Sequence, residues 1–189
     1  IMKKKYWDES FTPPEADKFL GAVKIEFAKS FEVEDKFLSA WLNHHGESQG
    51  KWLRARLALA TGGLLGLSSQ TSINWAVVCE LIHSASLLHD DVCDQDSLRR
   101  GHSSVWKEYG ISAAICTGDY LIAESFRKIT EIEEGWHQTI LLKLLSCSVK
   151  EIIFGQSKDV SFDLLNMSWE QYMKMATNKT SPFIALPMM

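Results

Sequence analysis

Near the middle of the chain stands His89-Asp90-Asp91-Val92-Cys93-Asp94, three carboxylates at positions i, i+1 and i+4. On a helix, Asp90 and Asp94 share one face a turn apart, and Asp91, three residues before Asp94, leans the same way. Like charges so placed repel unless a cation lies between them. Oxygen-only ligands of this hardness suit Mg²⁺, which keeps several waters and bridges a few carboxylates to substrate phosphates. A solvated acidic helix end is the plainer reading of the same residues. The segment before them, Cys79-Glu80-Leu81-Ile82-His83-Ser84-Ala85-Ser86-Leu87-Leu88, is largely apolar, so the acids crown a buried helix and floor a pocket. Just beyond, Leu98-Arg99-Arg100-Gly101 brings two guanidiniums to the same region. Arginine forks bind phosphate oxygens bidentately, although neutralisation of the aspartates would also use them. A metal and arginines in one place imply a diphosphate.

Other groups could serve the same ligand class. Lys51 and Arg54 fall one turn apart at a helix start, where both cations and the free backbone N–H groups can face one anion; an ordinary basic first turn is the alternative. His83 precedes Asp90 by two turns on one face, which places it deeper in the same cavity as a donor to a diphosphate oxygen, or makes it a satisfied core histidine. Asp159 is either a metal-shell acid or a residue of a loop at a helix end.

These residues need a scaffold, and 189 residues with 46 % hydrophobic and 23 % charged content suffice for one globular domain. A net charge of -4 offers no basic field for a nucleic-acid backbone. No apolar stretch reaches membrane-spanning length, and the N-terminal IMKKKYWDES has no apolar h-region behind its lysines. The cysteines Cys79, Cys93, Cys116 and Cys147 show no metal-ligand spacing and read as small buried hydrophobes in a reducing compartment. Seven tryptophans and nine phenylalanines, scattered along the chain, read as core.

The prolines are confined to Pro13, Pro14, Pro182 and Pro187, so the interval 15–181 lacks the strongest helix breaker and the chain is expected to be all-α. Phe19, Val23, Phe27, Phe31 and then Phe37, Leu38, Trp41 recur at helical spacing after a Pro13-Pro14 helix start. A loop is expected over His44–Gly50 and a helix over Lys51–Leu65. A central helix follows from the N-cap candidates at 68–72 to about Cys93, then a polar loop over Asp94–Gly110. Further helices are expected at Ile111–Ile129, Trp136–Phe154 and, from a Ser168 cap with an early Glu170, Trp169–Thr180. The break at 133–135 separates the first two of these.

The stretch ELIHSASLLHDDVCDQDSLRRG resembles the first aspartate-rich region of the trans-isoprenyl diphosphate synthases, the head-to-tail prenyltransferases. Gly50-Lys51-Trp52-Leu53-Arg54 resembles the family's Gly-Lys-x-x-Arg segment, Gly155-Gln156-Ser157-Lys158-Asp159 its Gly-Gln-x-x-Asp segment, and Lys179-Thr180 its Lys-Thr pair. Order and spacing agree over about residues 20–186. The resemblance implies an isoprenoid-synthase-like antiparallel helical bundle around a central cavity. It implies a Mg²⁺-dependent condensation of isopentenyl diphosphate with an allylic diphosphate. Asp90, Asp91 and Asp94 would hold the metal, Arg99 and Lys179 the allylic diphosphate, and Lys51, Arg54, His83 and Arg100 the isopentenyl diphosphate, with Gln156 also at the substrate. The small residues Ala85 and Ser86 would leave the tail channel open to a geranylgeranyl or longer product, with Trp75 or Cys79 deeper as the stop. A cytoplasmic homodimer is implied, or a heteromer.

Departures are visible too: Ser48-Gln49 precede Gly50, and Trp106 stands where a histidine is frequent. No second aspartate-rich motif follows Lys179-Thr180. The expectation is therefore one helical domain over 1–189 that lacks its C-terminal part. A class I terpene cyclase needs only one diphosphate, so Lys51, Arg54 and His83 argue against it. A non-catalytic subunit of a heteromeric synthase would explain the missing second motif, and a generic helical interaction module would explain the helices alone.

Overall fold

The computed structural model describes residues 13–47, 50–133, 135–161 and 168–189. Within them the chain folds into helices α1 (Pro13–Lys29), α2 (Lys36–Glu47), α3 (Leu53–Leu65) and α4 (Ser69–Cys93), a small antiparallel hairpin β1 (Leu98–Arg99) and β2 (His102–Ser103), then α5 (Val105–Tyr109), α6 (Ile111–Thr130), α7 (Gly135–Ser161) and α8 (Trp169–Ala185). A 3-10 turn at Leu186–Met188 follows. The N-terminal IMKKKYWDES, Ser48-Gln49, Glu134 and Met167 lie outside the described residues.

The centre is α4. Every residue from Thr71 to Ile82 is buried, including Trp75, Val77, Val78 and Leu81, and a helix apolar all round must be enclosed by others. It packs chiefly against α6 and α3, with α1 alongside. Each fully buried leucine or valine contributes roughly 1.5–3 kcal/mol. Ser68 caps α4 by accepting the Thr71 N–H at 3.1 Å, as the polar run 68–72 predicts. Ser168 caps α8 in a reciprocal box whose partner is Gln171, not Glu170.

Several boundaries differ from expectation. The segment expected as a loop from His44 is helical to Glu47, because a side chain at Gly46 would come within 2.9 Å of Phe31 and glycine lets the helix pack there. The next helix begins at Leu53, leaving Lys51 outside it. Within Asp94–Gly110 lie the hairpin and α5, short elements whose pairing a polar composition hides. The helix from the 136 region runs on to Ser161, and α8 continues through Pro182 to Ala185. Of the cysteines only Cys79 is buried; Cys93 is exposed in the last turn of α4, beyond its enclosed stretch, and Cys116 and Cys147 are exposed on the outer faces of α6 and α7. Trp52 and Trp75 are core, whereas Trp136 and Trp169 are 65 % and 73 % exposed. Among the described residues no helix is long and apolar enough to cross a membrane.

Candidate active site

Two cavities flank the C-terminal half of α4. The first, of about 580 Å³, is lined by His45, Lys51, Arg54, Glu80, His83 and Arg100 together with Gly50 and Phe27. The second, of about 510 Å³, is lined by Asp90, Gln156 and Lys179, by Ser86, and by aliphatic side chains including Ile115, Ile152 and Val160. Phe183 of α8 stands between them. Its ring meets the His83 imidazole edge-on at 5.9 Å and lies 5.4 Å beneath the Arg54 guanidinium, while it also walls the second cavity.

The basic cavity is assembled by local strain. Trp52 is in the left-handed region (φ 55), a conformation that costs a bulky residue on the order of 1–3 kcal/mol. Burial of its ring, edge-on to Phe27 at 5.1 Å, offsets this cost. The sharp turn brings exposed Lys51 and half-buried Arg54 to one cavity. Arg100 (φ 52) and Gly101 (φ 86) form the two-residue turn of the hairpin. This turn sends the two arginines apart. Arg100 lies against Gly50, where a side chain would come within 2.8 Å of its guanidinium, and Arg99 turns back to α4.

Arg99 forms a hydrogen-bonded ion pair with Asp91 and reaches Asp96 at 3.3 Å. Asp91 is 2 % exposed and committed to Arg99. Asp94 acts electrostatically on both Asp90 and Asp91, while the Asp91 carboxylate is engaged by Arg99. Asp91 is about 100° round the helix from Asp90, and a buried carboxylate requires a partner. Asp94 ends α4 as an exposed residue whose N–H donates to the Asp90 carbonyl at 2.8 Å. Across the second cavity the Lys179 ammonium lies 2.6 Å from Asp159 and 4.0 Å from Asp90. Asp159 lies within α7, not in a loop.

Electrostatics follow from burial and neighbours. Burial pushes Asp90 up from the ordinary carboxylate range, Lys179 pulls it down, and Asp94 and Asp159 raise it again. Asp91 also stands above that range, because burial outweighs its bond to Arg99. Burial pulls Lys179 down, but Asp159, Asp90 and Asp94 more than offset this and its pKa is raised. In the basic cavity, burial and the neighbouring arginines hold His83 at about 3 and His45 at about 4, so both imidazoles are neutral. Burial raises Glu80 against the pull of the Ala55 N–H, Arg54 and Arg100. Four buried polar atoms in the cavity walls have no hydrogen-bond partner: Arg54 Nε, His83 Nδ1, and Nε2 and Oε1 of Gln156. Buried groups are normally satisfied, so these mark places for a ligand.

The model of the family described as polyprenyl synthetase matches residues 35–189. The chain belongs to that family. It is 33 % identical over 165 residues to a short chain isoprenyl diphosphate synthase of Methanocaldococcus jannaschii, covering 87 % of this chain and 50 % of that protein. It is 34 % identical over 136 residues to a geranylgeranyl diphosphate synthase of Saccharolobus solfataricus, covering 70 % and 41 %. It thus spans about half the length, or less, of these curated relatives. A polyprenyl synthase from Caulobacter crescentus, solved in complex with calcium and isoprenyl diphosphate, superposes with a TM-score of 0.85 at 26 % identity, over 93 % of this chain and 52 % of that one.

As a polyprenyl synthetase family member the chain has the all-α isoprenoid-synthase fold that its residues imply. The structure brings Lys51, Arg54, His83 and Arg100 to one cavity and Asp90, Gln156 and Lys179 to the other. Arg99, Asp91, Asp94 and Asp159 line neither. Ser86 lines the second cavity, whereas Ala85, 1 % exposed, is in the core beside it. His83 is not deeper in the Asp90 cavity, because Phe183 intervenes. Sequence reasoning missed Phe183, Glu80, His45 and the contact of His89 with Gly118, a glycine whose side-chain position the imidazole fills. Phe183, one turn beyond Lys179, carried a usable signal; the others depend on long-range packing.

Proposed function

We propose that this chain supplies the substrate-binding half of a trans-prenyltransferase that joins isopentenyl diphosphate to an allylic diphosphate. The observation that carries the proposal is the pair of cavities meeting at Phe183, each with buried, unpartnered polar atoms in its wall. One is cationic and suits a diphosphate directly. The other joins carboxylates to a lysine above an aliphatic lining, which suits a diphosphate headed by metal and followed by a hydrocarbon tail.

The fit of a divalent cation is supported by the donor set. Asp90 and Asp94 are hard oxygen donors one turn apart, and Lys179 lies 4.0 Å from Asp90, which marks the place where positive charge is wanted. Among the described residues no three His, Cys, Asp or Glu side chains gather at one point. A cation held by one or two carboxylates and completed by phosphate oxygens and water is the usual arrangement for Mg²⁺. When bound, Mg²⁺ supplies charge stabilisation to the leaving diphosphate.

The chain's own residues do the rest. Lys179 faces the allylic diphosphate and Gln156 offers it the free amide. Lys51, Arg54, Arg100 and neutral His83 hold isopentenyl diphosphate, His83 as a donor through an unpartnered nitrogen. The allylic C–O bond breaks with its electron pair leaving on diphosphate. The isopentenyl double bond attacks the allylic carbon, and loss of one proton to the released diphosphate completes the longer allylic product. Phe183 and the aliphatic wall keep water from the cation. A terpene cyclase has no task for the basic cavity, and a generic interaction module has none for either.

The test is product chromatography after incubating the protein with both diphosphates and Mg²⁺. A product longer than its allylic substrate by whole isoprene units is expected, geranylgeranyl or longer, and none with chelator. Cyclised products from the allylic diphosphate alone would replace this reading.

A further inference from the structure

Helix α3 starts without the usual means. Its N-cap is Trp52, in a left-handed conformation with no side-chain cap bond, and its first turn has no acidic residue. The Arg56 N–H makes the first intrahelical bond, to the Trp52 carbonyl at 3.0 Å, so the N–H groups before it have no partner within the helix. The Ala55 N–H instead donates to Glu80 Oε1 at 3.0 Å, a carboxylate that comes from α4, on the far side of the cavity in sequence but packed against the helix end. Glu80 is 7 % exposed. A buried carboxylate in the wall of a cavity whose other charges are Lys51, Arg54 and Arg100 would weaken the grip on an anion, unless its charge is committed elsewhere.

We infer that Glu80 is a positioning residue: it caps α3 from α4 and so locks the Lys51–Arg54 turn in register with His83, which follows Glu80 by one turn. A carboxylate at a helix N-terminus is favoured by the helix dipole and by the free N–H groups, and here it replaces the missing Ser, Thr, Asp or Asn. Its contact is with backbone and Arg54, not with ligand. The inference rests on the proposed function for its kinetic readout, but the cap itself is read without turnover.

The experiment compares Glu80→Gln, which keeps an oxygen acceptor, with Glu80→Ala, which removes it. Amide hydrogen exchange on the purified protein should be at least tenfold faster at Ala55 in the alanine variant and near wild type in the glutamine variant. In steady-state assays the alanine variant should raise KM for isopentenyl diphosphate about tenfold, with KM for the allylic substrate within about twofold, and the glutamine variant should restore most of the loss. Should the alanine variant fail to fold, Glu80→Met, which fills the space without an acceptor, carries the comparison. Unchanged exchange at Ala55 in the variants lacking the acceptor, equal losses on both substrates, or a glutamine variant as impaired as those lacking the acceptor would overturn the inference. If no condensation occurs but the exchange pattern is as expected, the cap stands and the proposed reaction fails.

Discussion

Two cavities a single phenylalanine ring apart meet opposite electrostatic demands, and each includes one residue of the opposite sign. In the basic cavity the intruder is Glu80, fixed to backbone at 3.0 Å and buried. In the acidic cavity it is Lys179, a long side chain on α8 shared between Asp159 and Asp90. The difference teaches how each site is prepared. The basic cavity is preorganised by strain at Trp52 and Arg100 and by a backbone cap, so its cations are in place before an anion arrives. The acidic cavity is held by a side chain that can change partners, which suits the metal and diphosphate proposed for it.

The strongest way to break this comparison is to remove the acid. Asp90→Ala should lower turnover by about three orders of magnitude or more, because metal-borne charge stabilisation supplies several kcal/mol of the barrier reduction. Binding of isopentenyl diphosphate, followed by calorimetry, should remain within a few-fold, since Asp90 lines only the second cavity. Chelator should reproduce the same split. Parallel loss of both would show that the cavities act as one.

Next in size, Lys51→Ala and Arg54→Ala should raise KM for isopentenyl diphosphate by about 10- to 100-fold, the loss of a charge-assisted contact of about 1.5–3 kcal/mol. KM for the allylic substrate should scarcely move. Arg54 is expected to give the larger effect, as it is half-buried and stacks on Phe183, whereas Lys51 is exposed. Equal effects on both substrates would sink the assignment of this cavity.

Much of this site was legible before the fold. The helical spacing of Lys51 and Arg54 points both cations at one anion, and the family resemblance adds His83 and Arg100 to the same diphosphate; all four line one cavity. Spacing alone does not sort these residues between cavities; only the family resemblance implies that division. The opposite directions of Arg99 and Arg100 depend on the positive φ of a non-glycine turn residue, which the sequence Arg-Arg-Gly does not announce. The burial of Asp91 depends on which face of α4 meets the hairpin, a tertiary fact. The helices themselves were easy where apolar period and caps agreed, as at Ser68, and hard at Gly46, where packing against Phe31 overrides a loop-like composition.

A smaller effect sharpens the comparison through pH. His83 and His45 stand at about 3 and about 4 in the folded protein, against 6.5 for an ordinary histidine. The fold thus favours the neutral imidazoles, so their contribution to stability is fully present above about pH 6.5. It is lost as pH falls through 6.5 toward the folded values. Between pH 7 and pH 5 the loss should be on the order of 2 kcal/mol for each histidine. Denaturant midpoints measured at both pH values should show it, and His45→Gln and His83→Gln should each flatten the dependence. A bound diphosphate should weaken it too, by bringing negative charge to the cations that keep the rings neutral.

The smallest expected change is in product length, and it separates two adjacent residues of α4. Ser86 lies one turn before Asp90 and lines the second cavity, with its hydroxyl donating to the His83 carbonyl at 2.8 Å. Ala85 faces the core and is 1 % exposed. A tail attached to a diphosphate near Asp90 must run down the aliphatic lining past Ser86, toward Ile115 and Ile152. Each added isoprene unit buries carbons at about 0.8 kcal/mol per CH₂, so the cavity left by a small side chain favours another round of elongation. Ser86→Phe should therefore shorten the main product by one or two units with little loss of rate or stability. Ala85→Phe should instead overpack the core and destabilise by about 1–3 kcal/mol, a thermal and not a chromatographic effect. Product analysis and melting curves on the two variants make the check. Shortening by Ala85→Phe in a stable protein, or an unchanged product from Ser86→Phe, would place the tail elsewhere than beside this face of α4.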